Sequence, residues 1–214
     1  MTLAVGVLVS GSGTNLQAIL DAGRQGQLGG AEVRVVISNR ADALALDRAR
    51  AAGVAAVVVD HKAFADRERF EDALLETLRR HGVELVALAG FMRLLTPHFL
   101  RTFPDRVINI HPALLPSFPG VHAQRQAFDY GVRVSGCTVH FVDEGTDTGP
   151  IIGQAAVPVL ADDDADRLAA RILAEEHRLY PLVVRLFAEG RITRDGRRVR
   201  VRDAAPEGAA LRVP

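Results

Sequence analysis

The chain has one cysteine, Cys137, one lysine, Lys62, and no tryptophan among 214 residues. A lone cysteine excludes an internal disulfide, and the absence of a Cys-x-x-Cys pair removes the usual thiolate ligands of a structural zinc. One lysine, set outside any glycine-rich phosphate motif, leaves no P-loop and little basis for Schiff-base chemistry. Net charge is missing as well: 26 basic and 26 acidic residues cancel, so no global field attracts nucleic acid or an anionic membrane. Any anion site must be local. No apolar run reaches the roughly 18 to 20 residues that span a bilayer, and MTLAVGVLVSGSG lacks both the basic flank and the length of a secretory signal. A cytoplasmic location is the expectation.

What is present is alternation. Apolar runs at 3–9, 33–38, 56–59, 84–90 and 106–111 read as buried strands. Between them lie helical patterns: NLQAILDAG, ALALDRARAAG, a segment capped by Asp66 with Phe70, Leu74, Leu75 and Leu78 on one face, and a short helix bracketed by Pro97 and Pro104. Such repetition predicts an α/β fold with an open, mostly parallel sheet covered by helices on both faces. From Val132 the texture changes. Residues 133–142 and 151–159 read as added antiparallel or mixed strands, followed by a long helix capped by DDDAD, with Leu168, Ile172, Leu179, Leu182, Val183 and Leu186 on its buried side. One domain over 1–190 is expected, then a 191–214 extension with an Asp-Gly hairpin signal and a flexible tail.

Four polar features interrupt this pattern. LVSGSGTN joins the first strand to the first helix, a geometry that gathers free N–H groups and a positive dipole end for an anion; a plain turn with Thr14 or Asn15 as N-cap is the alternative. The dinucleotide pattern fails, because Leu16 stands where its third glycine belongs. In VINIHPALLP, Asn109 and His111 are two apart in a strand and point to one face. Pro112 then turns the chain out of the sheet, and Leu115-Pro116 is a candidate cis bond. DEGTDTGP offers Asp143, Glu144 and Asp147, one of which suits a pairing role with a histidine. His111, His122 and His140 raise the question of zinc, but separations of 11 and 18 residues fit no familiar ligand spacing, and no metal is expected.

SGSGTNLQAI, AGFMRLL, INIHPALLPSFPGVHAQRQAF and GCTVHFVDEGTDTGPII, in this order and spacing, resemble the phosphoribosylglycinamide formyltransferases, folate-dependent enzymes of purine synthesis with a Rossmann-like sheet. The resemblance covers about residues 3 to 190. It implies 10-formyltetrahydrofolate as formyl donor and the amine of glycinamide ribonucleotide as acceptor. Matched position by position, Asn109, His111 and Asp147 would be catalytic. Gly13, Thr14, Asn15, Leu173, Ala174, Glu175 and Glu176 would hold the ribonucleotide. The folate would lie against Phe91, Met92, Arg93, Leu94, Leu95, Asn109, Asp143, Glu144, Gly145, Thr146 and Asp147, with Arg67 near its glutamate tail. Ser12 and Thr14 stand where the family also carries Asn and Ser, and both leave the turn's N–H groups available.

The chemistry follows from the reaction. A neutral amine attacking a formyl carbon gives a negative oxygen and a positive nitrogen, so the site must stabilise one and deprotonate the other. Asn109 and a protonated His111 suit the oxyanion, and Asp147 suits the histidine's charge and a proton relay through water. Small-molecule substrates and a monomer or homodimer are expected, without nucleic acid or membrane. Rival readings are methionyl-tRNA formyltransferase, which carries an added tRNA-binding domain, a formyltetrahydrofolate deformylase, which carries an N-terminal regulatory domain, and a non-catalytic folate-binding protein.

Overall fold

The computed structural model describes residues 2–203. Strands β1 (Leu3–Val9), β2 (Ala31–Ser38), β3 (Ala55–Val58), β4 (Leu85–Leu88) and β5 (Val107–His111) alternate with helices α1 (Thr14–Arg24), α2 (Leu44–Ala51), α3 (Arg67–Arg80) and α4 (Pro97–Thr102). Helix α5 (Ala123–Tyr130), strands β6 (Val134–Phe141) and β7 (Ile151–Pro158), helix α6 (Ala165–Ala188) and a hairpin of β8 (Ile192–Asp195) and β9 (Arg198–Val201) complete it. The first seven strands form one sheet in the order β3-β2-β1-β4-β5-β6-β7. Strands β1 to β5 pair in parallel, and β6 and β7 are antiparallel. This is the expected open, mostly parallel, Rossmann-like sheet with mixed strands on its C-terminal side.

Two apolar clusters sandwich the sheet. One packs α1, α2 and α6 against β1, β5 and β6; the other packs α3 and α4 against β1, β2 and β4. Strand β5 divides between them by its period of two: Ile108 and Ile110 enter the α6 cluster, and Val107 enters the α3 cluster. Asn109 and His111 share Val107's face, beyond the cluster under α3 and α4. Across the antiparallel ladder Asn109 stands opposite His140, and His111 opposite Thr138.

Asp66 and Asp164 cap α3 and α6, accepting from the N–H groups of Arg69 and Arg167 at 2.8 Å. Helix α1 departs from expectation. Its N-cap is Gly13 at φ 71, without a side-chain bond, rather than Thr14 or Asn15. Leu182, expected on the buried side of α6, is 46% exposed; roughly 100° per residue carries it about 200° round from the buried Tyr180. Helix α5 has no counterpart in the sequence reading, because its N-cap, His122 at φ 59, makes no capping bond. The Leu115-Pro116 bond is cis. The hairpin loop is Gly196 and Arg197, one position beyond the Asp-Gly pair, with Gly196 at φ 58. The flexible tail expected after it lies outside the described residues.

Candidate active site

The loop after β1, expected to bind an anion, is tied down through its carbonyls. Ala45 of α2 donates its N–H to the Gly11 carbonyl at 3.1 Å, Arg48 Nε donates to the Ser12 carbonyl at 2.8 Å, and Gln17 N–H takes the Gly13 carbonyl at 2.9 Å. With three successive carbonyls tied down, the N–H groups at the start of α1 remain for an anion. A cavity of about 420 Å³ opens in front, lined by Ser10 to Asn15, Asn39 and Arg40 among others. Gly13 is required twice over: its φ is positive, and a Cβ there would sit 2.6 Å from that of Ala45.

Helix α6 reaches the end of this loop through Glu176. Asn15 Nδ2 donates to Glu176 Oε2 at 2.8 Å. Burial raises the Glu176 carboxyl above its ordinary value, and the Asn15 bond opposes the shift. The other amide atom, Asn15 Oδ1, is buried without a partner among the described residues. Leu173, Ala174 and Glu175, named by resemblance, stay out of the cavity wall, and Glu175 pairs with Arg178 at 2.9 Å.

A polar triangle occupies the face of β5 and β6. Asp147 Oδ2 lies 3.2 Å from His111 Nδ1 and accepts the Gly120 N–H at 2.7 Å. Its Oδ1 lies 3.5 Å from Asn109 Nδ2 and 3.6 Å from His140 Nε2. Asn109 Nδ2 is 3.2 Å from His140 Nε2, and His140 Nδ1 is 2.7 Å from the Phe141 carbonyl. A consistent network has His140 donating from Nδ1 and accepting one Asn109 N–H at Nε2. The second Asn109 N–H, at the long contact to Asp147, is then the one free to serve a substrate.

The electrostatics correct one expectation. Both ring nitrogens of His111 face acceptors, since Nε2 lies 2.8 Å from the Phe118 carbonyl, and only the imidazolium donates to both. Burial nevertheless outweighs these partners: it holds His111 below the ordinary histidine value, helped by His140, while Asp147 and Phe118 pull the other way. Asp147 therefore limits the loss of charge rather than securing it. For Asp147 itself burial pushes upward, but the nearby His140 ring, the Gly120 N–H and the positive form of His111 together hold it below the usual carboxylate value.

A larger cavity, about 820 Å³, has Asn109, His111 and Asp147 in its wall and shares Gly90 and Met92 with the loop cavity. Of the residues expected against folate, Met92 and Leu94 expose 65% and 57% of their surface there, whereas Phe91 and Leu95 are buried. Phe91 and Leu95 line a smaller adjoining recess with Arg93, Asp143, Glu144 and Gly145, and Thr146 lines the larger cavity. Arg67, exposed at the start of α3, lines neither. Asp143 also shapes its own loop, accepting from Gly145 N–H and Thr148 Oγ1 at 3.2 and 2.6 Å. Sequence reasoning missed His140 as a partner of Asp147, along with the Gly120 and Phe118 main chain. Only the strand register brings His140 into place. His122 lines the cavity, and among the described residues no three or more His, Cys, Asp or Glu form a metal-holding group.

Residues 3–184 match the family described as formyl transferase. The chain belongs to the formyl transferase family. Its resemblance to phosphoribosylglycinamide formyltransferases is borne out by the enzyme of that name from Escherichia coli K12, 47% identical over 186 residues, with 87% of each chain covered. The trifunctional purine biosynthetic protein adenosine-3 of Drosophila melanogaster is 50% identical over 187 residues, and this chain spans 14% of its length. Among solved structures, glycinamide ribonucleotide transformylase 1 of Symbiobacterium toebii superposes with a TM-score of 0.92 at 59% identity, covering 94% of this chain and 95% of that one. Among this formyl transferase's described residues no helix is long and apolar enough to cross a membrane.

Proposed function

We propose that this chain transfers the formyl group of 10-formyltetrahydrofolate to the amine of glycinamide ribonucleotide, with Asn109, His111 and Asp147 as its catalytic residues. The observation that carries the reading is their convergence in the wall of a cavity that adjoins the anion loop. The loop suits the ribonucleotide phosphate, and the orphaned Asn15 Oδ1 suits a donor on the same substrate. The larger cavity falls within the size range of small-molecule sites, and its Met92, Leu94 and Val121 give an apolar wall for a flat fused-ring donor.

Asn109 donates its second N–H to the oxygen on which negative charge develops as the amine attacks. His111 supplies the other donor once the Phe118 carbonyl releases Nε2. Removing a donor of this kind typically costs about 2.7 to 4 kcal/mol of barrier. Asp147 stabilises the imidazolium and, through water, passes the proton shed by the attacking nitrogen to the folate nitrogen, whose bond to the formyl carbon breaks as the tetrahedral intermediate collapses. No nucleophilic side chain is needed. A cytoplasmic site of action with two small-molecule substrates and no nucleic-acid partner accompanies this reading. The test is formyl transfer to glycinamide ribonucleotide by the purified protein in the presence of a chelator, beside a control lacking the acceptor. Transfer far faster than release of formate supports the proposal; formate release indifferent to acceptor refutes it in favour of a hydrolase.

A further inference from the structure

The β8 and β9 hairpin lies beyond the residues that match the family, yet it reaches the Asp147 loop through one of its arginines. At its base, Arg202 donates its N–H to the Arg191 carbonyl at 2.9 Å and its Nη2 to the Gly190 carbonyl at 2.6 Å. Along one face Ile192 and Val199 pack on the cluster that contains Phe141 and Phe187, whose rings meet edge to face at 5.7 Å. At its tip two arginines reach outward. Arg194 pairs with Asp105, two residues before β5, and its guanidinium lies 5.8 Å from the centre of the Phe141 ring. Arg197 Nη2 donates to the Thr148 carbonyl at 2.9 Å.

Thr148 follows Asp147, and Asp147 sits at φ 55, a left-handed backbone that a non-glycine residue keeps only when its surroundings impose it. Gly120 restrains the carboxylate from the cavity side. Arg197 restrains the main chain at the next residue, through the Thr148 carbonyl. An exposed arginine on a carbonyl adds little to global stability, so its effect should be read in geometry and rate.

We propose that the hairpin is a positioning element for formyl transfer, acting through Arg197 and Thr148 to hold Asp147 against His111. This rests on the catalytic role proposed above for Asp147. The experiment compares Arg197→Ala, Arg197→Lys, Arg200→Ala and Asp147→Asn in the full chain by kcat, KM for each substrate, the pH profile of kcat, and Tm. Arg200 is an exposed hairpin residue and serves as the control. Arg197→Ala is expected to lower kcat by about tenfold, within the range produced by ångström-scale misplacement of a catalytic group. Its pH profile should move toward that of Asp147→Asn while Tm and the KM for ribonucleotide stay put. Arg197→Lys should recover part of the rate, and Arg200→Ala should match wild type. Wild-type kcat and pH profile in Arg197→Ala, with Asp147→Asn impaired, overturn the hairpin's role alone. A wild-type rate in Asp147→Asn overturns both the role of Asp147 and the proposal built on it.

Discussion

Replacing Asp147 by asparagine removes a charge while keeping the side chain's shape and an oxygen for the Gly120 N–H. At the 3.2 Å separation from His111 Nδ1, Coulomb's law with an effective dielectric of about 20 sets a ceiling of about 5 kcal/mol on the attraction lost. Solvation changes consume part of that, and a charge-assisted hydrogen bond contributes about 1.5 to 3 kcal/mol net. If the imidazolium forms in the transition state, Asp147→Asn lowers kcat by about 10- to 150-fold. The pH dependence fixes the sign. Burial already holds His111 below its ordinary value and Asp147 pulls it up, so the variant's histidine falls lower still. A step that needs the imidazolium loses rate as pH rises through that pKa. The descending limb therefore moves to lower pH, and the deficit against wild type grows from acid to neutral pH. Initial formyl-transfer rates at saturating substrates, measured from mildly acid to mildly alkaline pH, decide the matter. An unmoved limb with kcat near wild type refutes the pairing of His111 with Asp147.

Three further substitutions test other parts of the molecule. Gly13→Ala combines a φ of 71 with a Cβ 2.6 Å from that of Ala45, and should destabilise by about 1 to 3 kcal/mol and raise the KM for ribonucleotide; a wild-type urea midpoint and KM would contradict the loop geometry. Tyr180 is fully buried and its single O–H is shared between the carbonyls of Leu88 and Ile108 at 2.9 and 3.2 Å, so Tyr180→Phe should cost about 1 to 3 kcal/mol in denaturant unfolding, and no change would mean the shared bond contributes nothing. Arg171 holds the Asp163 carboxyl down to about 2, through a paired contact at 2.6 and 2.8 Å. A carboxyl lowered in the folded state stabilises above its unfolded value, so Arg171→Met should cost about 1 kcal/mol at neutral pH. That difference should vanish as pH falls from about 4 toward 2; a difference independent of pH would point to lost packing instead.

The legible parts of the fold were those written locally. Strands β1, β4 and β5 announce themselves because burial on both faces leaves near-continuous apolar runs, whereas the edge strand β3 is apolar but only partly buried; Asp66 and Asp164 mark helix starts by the bonds their carboxylates accept. Asn109 and His111 were legible as a pair because their spacing places them on one face and Pro112 ends the strand beside them. Helix α5 was not, since neither its left-handed His122 cap nor its packing leaves a sequence signal. His140 was visible only as a histidine in a strand. Its neighbours depend on how β6 aligns with β5, which no local pattern encodes. The charge of His111 escaped for a related reason: the sequence brings a carboxylate to mind, and only the folded chain reveals the burial that opposes it.

The opposition of Asn109 and His140 across β5 and β6 carries a cost for evolution. A slip of one residue between these strands would set Val139 or Phe141 beside Asn109, turning the imidazole toward the α6 core and an apolar side chain toward Asp147. Asn109, His111 and Asp147 would all still be present in the chain, and the arrangement proposed for the reaction would be gone. An insertion in β6 that shifts its register against β5 is therefore expected to abolish formyl transfer as fully as loss of His111, with every side chain of the proposed site still in the sequence.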